Sequence, residues 1–247
     1  MRYIGELKMS EIQFKSESRA DKSSYKIGLI VQSILSIPKT LYFNFRCFSI
    51  STAVKLPVLV SYQTKLLELH KNIITFGSNP YRFMVKFGFG GSSGIIERKS
   101  LICLEKGNVH FDGKADFCAG TCLRNSGRIE FGKNFWSNKN CTIWCSKHIS
   151  FGENVLFGWS IVLRDSDGHL IIDNGESRPV DGDITIGDHC WICSESHILK
   201  NSGLGNDCVL GYGSLMTKKY EGNNRLYVGH PAKLVKENIN WMRGVQQ

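Results

Sequence analysis

The chain lacks an apolar run long enough to cross a lipid bilayer. Its apolar stretch at residues 25–37 is shorter than the about 20 residues that a spanning helix needs. The first residues do not join a charged segment to an apolar core, so we expect no secretory leader. No nucleic-acid-binding module is present, and the residues behind the formal net charge of +9 are spread out. We therefore expect a cytoplasmic protein with nine reduced cysteines, no nucleic-acid partner, and an anionic ligand or acidic membrane surface opposite its charge.

A six-residue repeat occupies residues 186–215. Each of its five units opens on an aliphatic residue: Ile186, Ile192, Ile198, Leu204 and Leu210. The fifth position of each unit is small: Cys190, Ser196, Ser202, Cys208 and Ser214. A period of six is typical of a parallel β-helix, in which three short strands form one triangular coil. The aliphatic side chains are predicted to stack inside the coils, and the small ones to fit the corners.

A looser repeat of 20 residues precedes these units. Phe111, Phe131 and Phe151 each open a similar phrase. On that period the next coil would restart near residue 171, but its match is Ile186, so roughly fifteen residues must leave the solenoid as a loop. We place this loop at residues 166–183, and a long loop on a rigid frame usually carries function.

The first hundred residues are predicted to form a mixed cap on the β-helix. Residues 25–37 have helical apolar spacing ended by Pro38, residues 41–48 alternate like a strand, and residues 53–62 form a second extended stretch. The glycine-rich residues 88–94 are predicted to lead into the first coil. The resulting domains are a cap at 1–106, a β-helix at 107–235 and a helix or tail at 236–247. Residues 25–48 are expected to pack on the β-helix or a neighbouring subunit, or alternatively to contact a membrane surface peripherally.

The order of several motifs resembles that of the hexapeptide-repeat acyltransferases. These motifs are the Asp-Gly-His at 167–169, the first six-residue units, the Leu-Gly-Tyr-Gly-Ser stretch at 210–218 and the Val-Gly-His-Pro-Ala-Lys at 228–233. Within that superfamily the chain is most similar to bacterial O-acetyltransferases that modify capsular or lipopolysaccharide sugars. The resemblance covers roughly residues 107–236. Departures are Cys193 in place of the usual Gly, Tyr212 in place of Ala, and Asn201-Ser202 in place of Gly-Val.

This resemblance implies an all-β, left-handed parallel β-helix with a short C-terminal helix around residues 236–243. It also implies transfer of an acetyl group from acetyl-CoA to a sugar hydroxyl, without a metal. The implied assembly is a homotrimer with sites between its subunits, in the cytoplasm or at the inner face of the membrane.

Histidine suits the role of base in such a transfer, because its ordinary pKa lies near neutral pH. Among the seven histidines, His169 alone lies in the long loop, and the resemblance makes it the base. Asp165 or Asp167 is expected to hold its other ring nitrogen. Ser194 matches the donor that stabilises the oxyanion, and its alternative is a corner serine bonded to its own backbone.

Further residues match family positions that contact coenzyme A or the acceptor. The expected cofactor contacts are Trp191, Ser194, Tyr212, Thr217, Lys218, Lys233 and Lys236. Asn138 and Trp144 are expected to contact the acceptor sugar, Trp144 by stacking on its ring. The alternatives are an ordinary interface aromatic for Trp191 and solvated surface cations for the lysines.

Two other functions stay open on the sequence. One is a β-helix without catalysis that serves in assembly or binding. The other is a metal-dependent hydratase of the γ-carbonic anhydrase type, which needs three histidine ligands with two of them five residues apart. No such pair exists in this chain, which disfavours a metal. Cys190-Trp-Ile-Cys193 matches a redox motif, but it lies inside the repeat rather than at the start of a helix.

Overall fold

The structure is a computed structural model that describes residues 28–91 and 95–244. Residues 25–27 of the predicted helix, residues 92–94 of the glycine-rich stretch and residues 245–247 of the tail lie outside this range, as do residues 1–24. Within it are three helical segments, numbered in chain order: α1 (residues 28–35), α2 (Ile37–Cys47) and α3 (Ile50–Ala53). No helix of the described part is both long and apolar enough to span a membrane.

Short strands, numbered in chain order, form three sheets that are the faces of a triangular prism. Face A contains β1 (Val58–Val60), β4 (Val85–Phe87), β7 (Ala115–Phe117), β10 (Phe135–Ser137), β13 (Leu156–Phe157), β18 (Trp191–Ile192), β21 (Val209–Leu210), β24 (Leu226–Gly229) and β25 (Ala232–Lys236). Face B contains β2 (Lys65–Leu67), β5 (Leu101–Cys103), β8 (Cys122–Asn125), β11 (Thr142–Cys145), β14 (Val162–Arg164), β19 (His197–Leu199) and β22 (Leu215–Met216). Face C contains β3 (Ile74–Phe76), β6 (Asn108–Phe111), β9 (Arg128–Phe131), β12 (His148–Phe151), β17 (Ile184–Ile186), β20 (Ser202–Leu204) and β23 (Lys219–Tyr220).

The register of these strands confirms the predicted repeats. Phe111 pairs with Phe131, and Phe131 pairs with Phe151, so the 20-residue period is one coil. Their rings stack inside the prism, with centroids 5.1 Å apart in both pairs. The aliphatic residue and the small residue of every six-residue unit are buried. The sequence pattern therefore reported which side chains point into the core.

The predicted loop is also confirmed. Ile149 pairs with Ile184 on face C, as it does with Ile129 on its other side, so the coil resumes in register after the insertion. Between them the chain forms an antiparallel hairpin of β15 (Ile171–Asp173) and β16 (Glu176–Arg178). An isolated bridge between Ser166 and Asp181 closes its base.

The boundary predicted at residue 107 is wrong, because the β-helix already begins at β1. Strands β1 to β5 pair in parallel with the strands that follow them and add coils below the predicted start. Of the extended stretch predicted at residues 53–62, only β1 is a strand, and Ala53 is the last residue of α3.

The strand predicted at residues 41–48 is wrong, since most of it belongs to α2. The buried residues of α2 follow helical spacing: Thr40, Phe43, Asn44 and Cys47. Pro38 lies in the first turn of α2, where its missing N–H costs nothing. The Asn44 side chain hydrogen-bonds both backbone polar groups of Val58 in β1, since its amide donates to the Val58 carbonyl and accepts the Val58 N–H.

The short helix predicted around residues 236–243 is wrong as well. The chain turns back at Gly229, whose φ of +112° suits glycine, and β25 pairs antiparallel with β24. Residues 237–244 then continue without helix. Their partners lie on the solenoid rather than within the segment: Asn224 exchanges hydrogen bonds with Ile239, and the Trp241 indole donates to the His189 carbonyl.

Candidate active site

The loop that carries His169 is anchored by Asp165, a fully buried residue at its base. The Asp165 carboxylate accepts the backbone N–H groups of Ser146, Lys147 and His148 at 2.7, 2.8 and 3.0 Å. The thiol of Cys145 donates to the same carboxylate at 3.3 Å, and burial together with this charge raises the pKa of Cys145. The expectation that Asp165 orients His169 is therefore wrong. It fixes the corner between faces B and C instead.

Asp167 is engaged with the solenoid too. Its carboxylate pairs with the Lys200 ammonium at 2.5 Å, and that ammonium also donates to the Pro179 carbonyl at 2.6 Å. The Asp167 backbone N–H donates to the Val180 carbonyl at 3.0 Å. The two carboxylates that precede His169 thus hold the loop base to the solenoid, Asp165 to the coil before the loop and Asp167 to the coil after it.

His169 lies beyond this anchored base and is exposed. Gly168 before it has a φ of +73°, which turns the chain away from the corner. No hydrogen bond to the His169 ring occurs among residues 28–91 and 95–244. The hairpin beside it exposes three consecutive apolar side chains, Leu170, Ile171 and Ile172, at 59%, 49% and 67%. An imidazole open to ligands therefore stands next to a patch suited to another protein surface.

Trp144 lies on face B between two arginines. It pairs in register with Arg124 on one neighbouring strand and with Arg164 on the other. Their guanidinium carbons lie 4.9 and 4.5 Å from its ring centroid. Such cation–π contacts cover the faces on which a sugar would stack. Stacking of the acceptor sugar on Trp144 stays a prediction, and it requires one of these arginines to leave the ring.

The corner between faces A and B holds three other candidates. The Ser194 hydroxyl is nearly buried and accepts the Trp159 backbone N–H at 3.1 Å, so its partner is backbone 35 residues away and not its own. Its carbonyl accepts the N–H of Gly213 at 3.0 Å, which places the exposed Tyr212 one coil above. Asn138 occupies the same corner lower in the stack.

The remaining cofactor candidates lie elsewhere on the prism. Thr217 and Lys218 are exposed between faces B and C, the corner from which the His169 loop leaves. Lys218 lies over the Tyr220 ring at 5.5 Å, and Lys233 and Lys236 are exposed on β25. None of these three lysines forms an ion pair within the described residues. The candidate residues of one chain thus lie at two corners separated by the width of face B, and on β25.

Trp191 lies on a third surface, face A, and is 37% exposed. Its ring lies 5.9 Å from that of Trp241 in the C-terminal segment, and Trp241 stacks on His189 with centroids 4.4 Å apart. Arg243 lies over Trp136 at 4.4 Å. Sequence reasoning missed these contacts, because nothing in the local pattern shows that residues 237–244 return to face A.

The thiols of the CxxC motif are not reactive in this setting. Burial raises the pKa of Cys190 to about 12 and that of Cys193 to about 11. Both therefore stay protonated near neutral pH, and a thiol is a far weaker nucleophile than a thiolate. All nine cysteines are free. Among the described residues, no three His, Cys, Asp or Glu side chains gather as a metal site requires.

Relatives of the chain agree with the motifs. A galactoside O-acetyltransferase of Escherichia coli K12 is 33% identical over 114 residues, which are 44% of this chain and 54% of that protein. A polysialic acid O-acetyltransferase of Neisseria meningitidis is 34% identical over 150 residues, 60% of this chain and 62% of that protein. The chain therefore spans only about half to three fifths of the length of these relatives. No protein-family profile matches it.

The architecture has a solved counterpart. The crystal structure of the polySia-specific acetyltransferase NeuO aligns with a TM-score of 0.54 at 20% identity and covers 77% of this chain and 81% of that one. The fold that the two chains share is a left-handed parallel β-helix. Together with sequence relatives named as sugar and polysialic acid O-acetyltransferases, it supports the resemblance found in the motifs.

Proposed function

We propose that the protein is an O-acetyltransferase that moves the acetyl group of acetyl-CoA to a sugar hydroxyl of a capsular or lipopolysaccharide-type glycan. The names of its sequence relatives support the reaction class. The observation that carries the proposal is the position of His169. It stands on a long loop that leaves the solenoid, the coils resume in register after that loop, and Asp165 ties the base of the loop to the frame.

His169 acts as general base in the proposed reaction. It removes the proton of the acceptor hydroxyl while the oxygen attacks the thioester carbonyl, and the imidazolium then gives its proton to the departing thiolate of coenzyme A. Ser194 is the candidate donor to the oxyanion, because its hydroxyl accepts the Trp159 N–H and keeps its own proton to donate. Its near burial means that a second copy or the bound substrate must approach this corner closely.

The proposed assembly is a homotrimer whose sites lie between neighbouring subunits. His169 and Lys218 lie at one corner of the prism, whereas Ser194 and Tyr212 lie at another. Two adjacent prisms can bring the first corner of one copy to the second corner of its neighbour, and the exposed hairpin supplies an apolar contact between them. In this arrangement Tyr212 and Thr217 meet the pantetheine arm, and Lys218, Lys233 and Lys236 meet the phosphates.

The trimer is tested by light scattering on the intact protein and on Ile172→Asp. We expect a trimer that loses assembly and activity together when the hairpin becomes charged. A monomer with full acetyl transfer would overturn the interfacial site.

We further propose that the cap contacts the inner face of an acidic membrane, which keeps the protein cytoplasmic but peripheral. The helices α1 and α2 expose Ile30, Ile34, Leu41 and Phe45. No acidic residue occurs between Asp21 and Glu68, so nothing in this stretch repels anionic headgroups. Co-sedimentation with vesicles tests the contact, with anionic and neutral lipids compared. Equal recovery in both, or none in either, contradicts it, and the helices then cover a neighbouring subunit.

Incubation with acetyl-CoA and fractionated surface glycans tests the central proposal. Mass spectrometry of the glycan should find an added acetyl group, and free thiol should appear in equal amount. Absence of both products, together with no binding of coenzyme A, would favour a β-helix that serves only in assembly or binding.

A further inference from the structure

Face A carries a groove that the proposed reaction does not use. Two adjoining cavities of about 470 and 590 Å³ share Lys114, Asp116, Trp136, Leu156 and Arg243 as lining residues. Each volume falls within the range of ligand pockets, roughly 300–1,000 Å³. Together they cross the face from Trp241 at one corner of the prism to Asn138 at the other.

The floor of the groove is one file of outward side chains. Lys86, Asp116, Trp136 and Leu156 pair in register on four successive strands of face A. Their common outward direction follows from this register, since the residues on either side of each point into the core. The groove is therefore part of the rigid solenoid rather than a gap between loops.

One wall of the groove is supplied by the C-terminal segment. Trp241 is fixed by stacking on His189 and by donating its indole N–H to the His189 carbonyl at 2.8 Å. Two residues later, Arg243 lies with its guanidinium carbon 4.4 Å from the Trp136 centroid. Cation–π attraction holds the guanidinium over the indole, and no hydrogen-bond acceptor for its N–H groups occurs among the described residues.

The charge of the groove is positive. Lys114 pairs with Asp116 at 3.0 Å, which leaves Lys86 and Arg243 without a carboxylate partner among the described residues. A guanidinium offers paired donors that match a carboxylate. Asn134 and Asn154 add amide groups, and the indoles add apolar surface of the kind that packs against the C–H face of a sugar ring. Cation, amide and indole side by side suit a sugar that bears a carboxylate.

We propose that this groove binds the chain of an anionic acceptor glycan, outside the place where its hydroxyl is acetylated. Arg243 and Lys86 pair with carboxylates of successive sugars, and Trp241 packs against a sugar ring beyond Arg243, at the end of the groove opposite Asn138. Asn138, expected from the sequence to contact the acceptor, lies at the end of the groove on the corner that also holds Ser194. The proposal rests on the sugar acetyl transfer proposed above and assigns the substrate class: an extended acidic polysaccharide.

Binding without acetyl-CoA tests the groove separately from the reaction. The probe is oligosialic acid, compared with the same oligomer after reduction of its carboxyl groups, and calorimetry measures the dissociation constant for the full chain. We expect the acidic oligomer to bind and Arg243→Ala to bind about tenfold more weakly or worse, as for a lost charge-assisted hydrogen bond. Trp241→Ala should weaken binding similarly. His169→Ala should bind as the unmodified protein does, so failure of the catalytic assignment leaves this result intact.

Arg128→Ala is the matched control, because it removes an exposed arginine from face C. Equal losses of affinity in Arg128→Ala and Arg243→Ala would show that binding depends only on net charge, and would contradict the proposed groove site. Equal binding of the reduced oligomer, displacement of the oligomer by acetyl-CoA, or no binding at all would overturn it too. Light scattering accompanies each variant, and a smaller assembly in Arg243→Ala would assign face A to a contact between copies.

Discussion

The indole of Trp241 stacks on the imidazole of His189, with ring planes 9° apart and centroids 4.4 Å apart. The two residues are 52 positions apart in the chain, and the indole N–H also donates to the His189 carbonyl. One aromatic pair thus fastens the C-terminal segment to the side of the solenoid.

We expect Trp241→Ala to release this segment. Trypsin should then cut at Lys236 and Arg243 sooner, because an unfastened segment is a better protease substrate than a docked one. Trp241→Phe is the matched control, since it keeps a stacking ring but loses the donor, and its cleavage rate should fall between the other two. Unchanged cleavage of Trp241→Ala would show that the stack does not hold the segment.

His169→Ala should lower kcat by about 10²–10⁴, the usual contribution of a general base. KM for acetyl-CoA should barely change, since the imidazole meets the acceptor hydroxyl. The acidic limb of the kcat/KM pH profile should vanish, because only an unprotonated base accepts a proton. His197→Ala and His230→Ala are the controls and should keep the limb. Near-normal turnover of a folded, assembled His169→Ala protein would remove the mechanism.

Asp165→Ala should destabilise the protein by about 3 kcal/mol or more, because three backbone N–H groups lose their acceptor in a fully buried site. Asp167→Ala breaks a partly exposed ion pair and should cost about 1 kcal/mol or less. Denaturant unfolding compares the two free energies. If Asp167→Ala lowers the free energy of unfolding more than Asp165→Ala does, the loop is held by the ion pair of Asp167 and not by the buried carboxylate of Asp165.

Cys190→Ser and Cys193→Ser should retain most acetyl transfer. Burial raises the pKa of both thiols to 11 or above, so neither supplies a thiolate near neutral pH. Steady-state rates of the two variants provide the measurement. An acyl-thioester trapped on the unmodified protein, with loss of activity in folded Cys193→Ser, would point instead to a covalent intermediate.

Lys218→Ala and Lys233→Ala should raise KM for acetyl-CoA and leave kcat nearly unchanged. Contacts with the distant phosphates are the same in ground and transition states, so their loss weakens binding without slowing the chemical step. Lys106→Ala, an exposed lysine lower on the prism, serves as control. An unchanged KM in both test variants would show that the phosphates of coenzyme A do not bind at this surface.

The core of the fold could be predicted from the sequence because each coil must bury apolar side chains at equivalent positions. Ile186, Ile192 and Ile198 must face inward, so an aliphatic residue recurs at every sixth position of the sequence. The loop was readable for the same reason, as a break in phase. Helix α2 was not, since Phe43 fits both an alternating aromatic pattern and a helical stripe with Cys47. Only packing against β1 decides between the two.

The contacts of the candidate site residues were harder to predict, because adjacency in sequence does not determine which group a side chain contacts. Asp165 stands four residues before His169 and suggested an orienting pair, yet its donors lie 17 to 19 residues upstream. Trp144 suggested a sugar platform, but its register neighbours are arginines. Both sets of contacts join successive coils, which the spacing of a single motif does not encode.

The pairing of Ile149 with Ile184 has a consequence for how such a protein can change. The solenoid responds to strand register and not to the number of residues between strands, so the hairpin is an appendage of free length on a fixed frame. Hairpins can then be exchanged at this corner without repacking the phenylalanine column beneath. The surface presented at this corner and the stability of the solenoid thereby become separate heritable traits, and a lineage can alter one while keeping the other.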